Sequence, residues 1–153
     1  MTRLRRQQLD QRIATVEGAF RRLGHVEVAR QEDSPQTIVV TVTHPGWGAA
    51  TTAQLFFVET WVLDGDLWTL ARYAYDLLLR PAPARLGLHW HDGAHHTHCV
   101  DPAHPDRDHH FAGGPVDLFA AFDRFTALLN GKERLTCAGL LPLRGQPART
   151  KPT

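Results

Sequence analysis

The chain reads as an α+β protein: an antiparallel β-sheet of about five strands covered by an N-terminal and a C-terminal helix. Three observations point there. Apolar residues recur at three- and four-residue steps near both ends, alternating and β-branched runs fill the stretch between, and glycine- or proline-containing breaks divide those runs.

Leu9, Ile13, Val16, Phe20 and Leu23 make the first helical stripe, over roughly 5–23, with Gly24 placed as its C-terminal cap. HVEVAR (25–30) alternates and puts Val26 and Val28 on one face. TIVVTVT (37–43) is β-branched throughout, and HPGWG breaks it. AQLFFVETWVL (53–63) is a third strand, followed by the hairpin signal DGD at 64–66. LWTLARYAYDLLL (67–79) fits a helix or a strand by composition; its aromatic content and the preceding turn favour a strand. LGLHWH (86–91) is the fifth, and a histidine-rich loop is expected over about 92–112. Pro115 suits the first position of a second helix, Asp117 its first turn, and Leu118, Phe119, Phe122, Phe125 and Leu129 its apolar stripe, with Asn130-Gly131 as the stop. Residues 1–143 are read as one globular domain and 144–153 as a flexible basic tail.

At 153 residues with 42% hydrophobic content, the chain is long enough for a single packed core. No apolar run reaches membrane-span length, and the basic start MTRLRRQQLDQR lacks the apolar segment of a secretory signal. Cys99 and Cys137 form no CxxC motif and no evident disulfide framework, so a reduced, cytoplasmic setting is the expectation. The net charge of +1 conceals an uneven distribution: residues 1–23 carry six arginines, whereas residues 24–123 carry five arginines against thirteen Asp/Glu. The basic N-terminal helix could meet RNA or an acidic protein partner, and most of its arginines suit a solvated face. The oligomeric state is left open.

Chemistry concentrates in HWHDGAHHTHCVDPAHPDRDHH (89–110), which holds eight of the ten histidines and four aspartates. One reading is a metal site. His89 and His91 share a strand face, and His98, Asp101 and Asp108 follow closely, a donor set suited to a divalent ion such as zinc, manganese or nickel that would activate water. A second is metal-free acid/base work, because imidazole exchanges protons near neutral pH. Arg72 or Arg107 would then offset phosphate charge, and Tyr73 or Tyr75 would position or donate. His109 and His110 just precede a helix N-terminus, which favours an anion. A third is a solvated polar loop that docks a partner. Several chemistries are excluded: HExxH is missing, the glycine-rich HPGWGAA lacks the lysine of a P-loop, and the sole serine, Ser34, stands beside a proline in a polar turn.

From the third strand onward, the order of features resembles the TumE-like family of toxins from toxin–antitoxin pairs. The matching residues are Glu59 in LFFVETWV, Arg72-Tyr73-Ala74-Tyr75, His95-His96 in DGAHHTH and His109-His110 in RDHHF, all within about 53–125. The chain departs from the pattern at His89-Trp90-His91-Asp92-Gly93 and adds HCVDPAHPD between the histidine pairs. The resemblance implies a small cytoplasmic toxin with a cognate antitoxin, a DNA-binding repressor, as partner; joined to the acid/base reading of the histidines, it leads to the expectation of a ribonuclease-like protein that cleaves or modifies RNA. On that expectation His95, His96, His109 and His110 move protons with Arg72 and Tyr75 in support, and Glu59, Tyr73 and Arg107 contact substrate.

Overall fold

Three residues at the start, Arg3–Arg5 (β1), are extended and run directly into a helix, Arg6–Phe20 (α1). The Gln8 side chain reaches back to accept the Arg5 backbone N–H at 2.8 Å, satisfying one of the orphan donors of the first turn. The helix ends three residues earlier than the apolar stripe suggests, and Gly24 does not cap it; Gly24 instead packs against the Thr43 carbonyl. The computed structural model describes residues 2–45, 52–80, 84–131 and 134–139. The tail expected at 144–153 and most of the HPGWG break lie outside them.

The central strands are His25–Arg30 (β2), Gln36–His44 (β3), Thr52–Asp64 (β4), Leu67–Arg80 (β5) and Ala84–His91 (β6). Each matches an expected strand, including 67–79, where the strand choice holds. Among the described residues the sheet nevertheless has eight strands rather than about five. β1 pairs with the start of β5, and two further strands, Ala94–Val100 (β7) and His109–Ala112 (β8), arise inside what composition marks as a loop. Each strand from β2 to β8 pairs antiparallel with the next in the chain, an unbroken meander.

The pleat sorts side chains. On β3, β4 and β5 every second residue is buried, giving Ile38, Val40, Val42, Leu55, Phe57, Tyr75 and Leu77 to one face. Both helices cover that face. Phe20 of α1 stacks on Phe122 of the second helix, Leu118–Leu129 (α2), at 4.1 Å, and both rings meet Phe57 from the sheet. Asp117 is the cap of α2 rather than part of its first turn: its side chain accepts the Ala120 N–H at 2.9 Å.

The cysteines correct a second expectation. Cys99 and Cys137 are 5.7 Å apart at Cα and form a disulfide across 38 residues of sequence. It joins β7 to a short 3-10 turn, Cys137–Gly139, and the Asp101 carboxylate reinforces the junction by accepting the Cys137 and His104 backbone N–H groups. The pairing was hidden because disulfide partners are set by folded proximity, not by spacing. With it goes the argument that unpaired thiols indicate a reducing compartment. No helix among the described residues is long and apolar enough to cross a membrane.

Candidate functional site

β6 ends at His91, and Asp92 and Gly93 both take positive φ, 52° and 73°. Two such residues form the tight turn that twists correctly between antiparallel strands, so the chain returns at once as β7. The register then pairs His89 with His96 and Gly87 with His98, and β8 adds His110 opposite His98. Paired residues share a face. His89, His91, His96, His98 and His110 therefore gather on the face away from both helices. Trp90, His95, Thr97, Cys99 and His109 point to the other side. The two adjacent histidine pairs, His95-His96 and His109-His110, are thus each split across the sheet.

His96 lies at the centre of the group. Its ring centroid is 4.5 Å from His91, 4.8 Å from His110, 5.2 Å from His98 and 5.3 Å from His89. His98 stacks on His110 at 4.5 Å. His89, His96 and His98 each present a ring nitrogen such that the three lie within 4.8 Å of one another, a set able to hold a metal ion.

The group is anchored from β5. Asp76 Oδ2 lies 2.9 Å from His89 Nε2, and Oδ1 accepts two hydrogen bonds from Arg85, at 2.9 and 2.7 Å. Gly87 makes room for this carboxylate. A methyl at that position would sit 2.5 Å from Asp76 Oδ1 and 3.0 Å from His89 Nε2.

Burial opposes the Asp76 charge, but His89 and Arg85 outweigh it and hold its carboxyl below the usual range. Desolvation, reinforced by the four surrounding imidazoles, pushes His96 down to about 4. His98 is lowered for the same reasons, desolvation first and then His89, Arg85 and His110, with Asp108 opposing. Both rings are accordingly neutral near pH 7, with one lone pair each free to take a proton or bind an ion. His98 Nδ1 is buried without a hydrogen-bond partner; the nearest carboxylate oxygen, on Asp108, is 3.6 Å away.

The opposite face uses the same residue types for cohesion. The Tyr73 hydroxyl accepts the Val116 backbone N–H at 3.0 Å and is hydrogen-bonded to His95 Nδ1, also at 3.0 Å. His95 stacks on Trp90, and desolvation lowers its pKa. Glu59 is almost wholly enclosed. It accepts from Tyr75 at 2.7 Å, from Arg12 at 2.7 Å and from the Trp61 indole at 3.1 Å. Burial, then the Glu59 charge, raises the Tyr75 hydroxyl far above its ordinary value.

Of the other residues singled out in the sequence, Arg72 lies on the histidine face and donates to Thr60 at 3.1 Å. Arg107 is exposed in the turn before β8, and Asp101 is occupied by the Cys137 junction and His104. Asp76 and Arg85 went unnoticed in the sequence. The available signal was Asp76 itself, a lone carboxylate inside the apolar strand YAYDLLL.

No family model, curated protein or solved structure matches the chain. The fold and site define it as an antiparallel α+β protein with one helix-covered face and one face bearing a histidine cluster.

Proposed function

We propose that this chain cleaves RNA by imidazole proton transfer and is the toxin of a toxin–antitoxin pair. The observation that carries this reading is the Asp76–His89 hydrogen bond. It places a carboxylate-oriented imidazole on the same uncovered face as neutral His96, with ring centroids 5.3 Å apart. A neutral imidazole is a base, and an imidazole beside a carboxylate has a counter-ion when it carries a proton.

In the reaction, His96 removes the proton of a ribose 2′-hydroxyl as that oxygen bonds to phosphorus. Protonated His89 gives its proton to the departing 5′-oxygen as the P–O bond breaks. The products are a 2′,3′-cyclic phosphate and a 5′-hydroxyl. Arg72, on the same face, offsets phosphate charge, and His91 and His110 flank the bound strand. His95 and His109 act from behind the sheet as positioning residues.

The antitoxin rests on the order of Glu59, Arg72-Tyr73-Ala74-Tyr75 and the histidine pairs, which resembles that of the TumE-like toxins; the RNA substrate is inferred from the imidazole chemistry. The antitoxin, a DNA-binding repressor, masks the histidine face. An RNA substrate would place the action in the cytoplasm, whose thiol pool opposes the Cys99–Cys137 disulfide.

The test is expression of the chain alone, scored for growth arrest and for RNA termini carrying cyclic phosphate. His89→Ala and His96→Ala are each expected to relieve arrest with an unchanged melting curve. His25→Ala, on the far edge strand, should remain toxic. Persistent arrest in both site variants, or no RNA cleavage by purified protein, would reject the assignment.

A further inference from the structure

We infer that His89, His96 and His98 form a binding site for one zinc-class transition-metal ion, with Asp76 as the carboxylate that orients His89. This goes beyond the RNA reading and stands without it. The ligand set differs from the one the sequence suggested: His91 is a neighbour rather than a member, and His96, from the adjacent strand, replaces Asp101.

Three observations converge. First, three imidazole nitrogens from two paired strands lie within 4.8 Å of one another. A tetrahedral ion with Zn–N bonds of about 2.0–2.1 Å wants its nitrogens about 3.4 Å apart, a contraction that small ring rotations supply on a half-buried surface. Strand pairing, rather than a local motif, sets this spacing. His89 and His96 are directly paired, and His98 follows two residues along on the same face.

Second, the support around His89 is of the kind a metal-binding histidine has. Its Nε2 is engaged by Asp76, and Asp76 is in turn fixed by Arg85. Gly87 is the space in which that carboxylate lies. Third, His98 Nδ1 is a buried polar atom without a hydrogen-bond partner. An unsatisfied buried group of this sort costs about 1–3 kcal/mol, and coordination satisfies it.

Three nitrogen donors without a carboxylate in the ring of ligands select a borderline-soft ion and disfavour magnesium or calcium. Among the described residues, both helices lie on the other side of the sheet from this cluster. The metal-bound and proton-transfer forms are alternative states of the same imidazoles, because coordination takes up the lone pairs of His89 and His96.

The experiment uses untagged, EDTA-treated full-length chain, titrated with zinc chloride against a chromophoric chelator, and with cobalt chloride while visible absorption is recorded. One zinc per chain and intense tetrahedral cobalt bands are expected. His96→Ala and His98→Ala should each abolish the bands. Asp76→Asn should keep the stoichiometry but weaken affinity by about 10–100-fold, the usual effect of removing an outer carboxylate. His104→Ala, in the turn after β7, should change nothing. Absence of stoichiometric binding, or equal binding by wild type and His96→Ala/His98→Ala, would overturn the site. Neither result bears on RNA cleavage, which is measured separately in metal-free buffer.

Discussion

Two carboxylates, Glu59 on β4 and Asp76 on β5, sit on opposite faces of one sheet and meet opposite fates. Glu59 has a side chain only 5% exposed and is bonded to Arg12, Tyr75 and Trp61 beneath the helices. All its partners terminate inside the protein. Asp76, with a 16% exposed side chain, is held by Arg85 on one oxygen and on the other meets His89, which belongs to the imidazole group on the face away from the helices. The first network closes within the helix-covered core; the second joins the histidine cluster.

This contrast can be broken by substitution. The largest effect is expected for Glu59→Ala, which leaves the half-buried Arg12 guanidinium without its partner and should cost about 3–5 kcal/mol in urea denaturation. Asp76→Ala, closer to water, should cost less than half as much while removing RNA cleavage. Equal stability losses would erase the distinction. Next is the Cys99→Ser/Cys137→Ser pair. Opening a loop of 38 residues should lower stability by about 2–4 kcal/mol. Retained RNA cleavage in that variant would show that the Cys99–Cys137 bond serves stability rather than the reaction.

A smaller loss, about 1–3 kcal/mol from overpacking, is expected for Gly87→Ala, whose methyl collides with the Asp76 carboxylate. RNA cleavage should fall sharply, and the near-ultraviolet signal of the Trp61 and Tyr75 side should stay as in wild type. The smallest effect is that of pH. The fold favours neutral His96, so between about 4 and the ordinary value of 6.5 the unfolded chain binds the extra proton. Stability is full above pH 6.5 and declines as pH falls toward 4, by well under 1 kcal/mol once solvent screening of a partly exposed ring is allowed for. Denaturation midpoints at pH 7 and pH 4.5 measure it, and His96→Phe should reduce the difference, with the lowered His98 and His95 supplying the remainder. Asp76 and Asp101, whose pKa values are also lowered, add losses only below the carboxylate range, from about 3.8 downward.

Much of the frame was legible along the chain. The alternation of β2 to β5 and the stripes of α1 and α2 arise because burying one face of a strand or helix imposes a period of two or 3.6 on its apolar residues. The strands β7 and β8 were not legible by that rule. Their open faces carry histidine instead of an apolar set, so AHHTHCV and HHFA look like loop. Asp92-Gly93 was the overlooked signal, a turn dipeptide of the same kind as that at 64–66.

The site divides in the same way. The sequence by itself determined that imidazole chemistry would concentrate near 89–110, because composition alone sets which groups can titrate or coordinate. Only the tertiary structure decided which imidazoles meet. Neighbours in sequence on a strand face opposite ways, so His95 and His96 part, while register across β6, β7 and β8 unites His89, His96, His98 and His110. The Asp76 support and the Cys99–Cys137 bond are also long-range pairings, made by hydrogen-bonded strands and helix packing, and no local spacing encodes them.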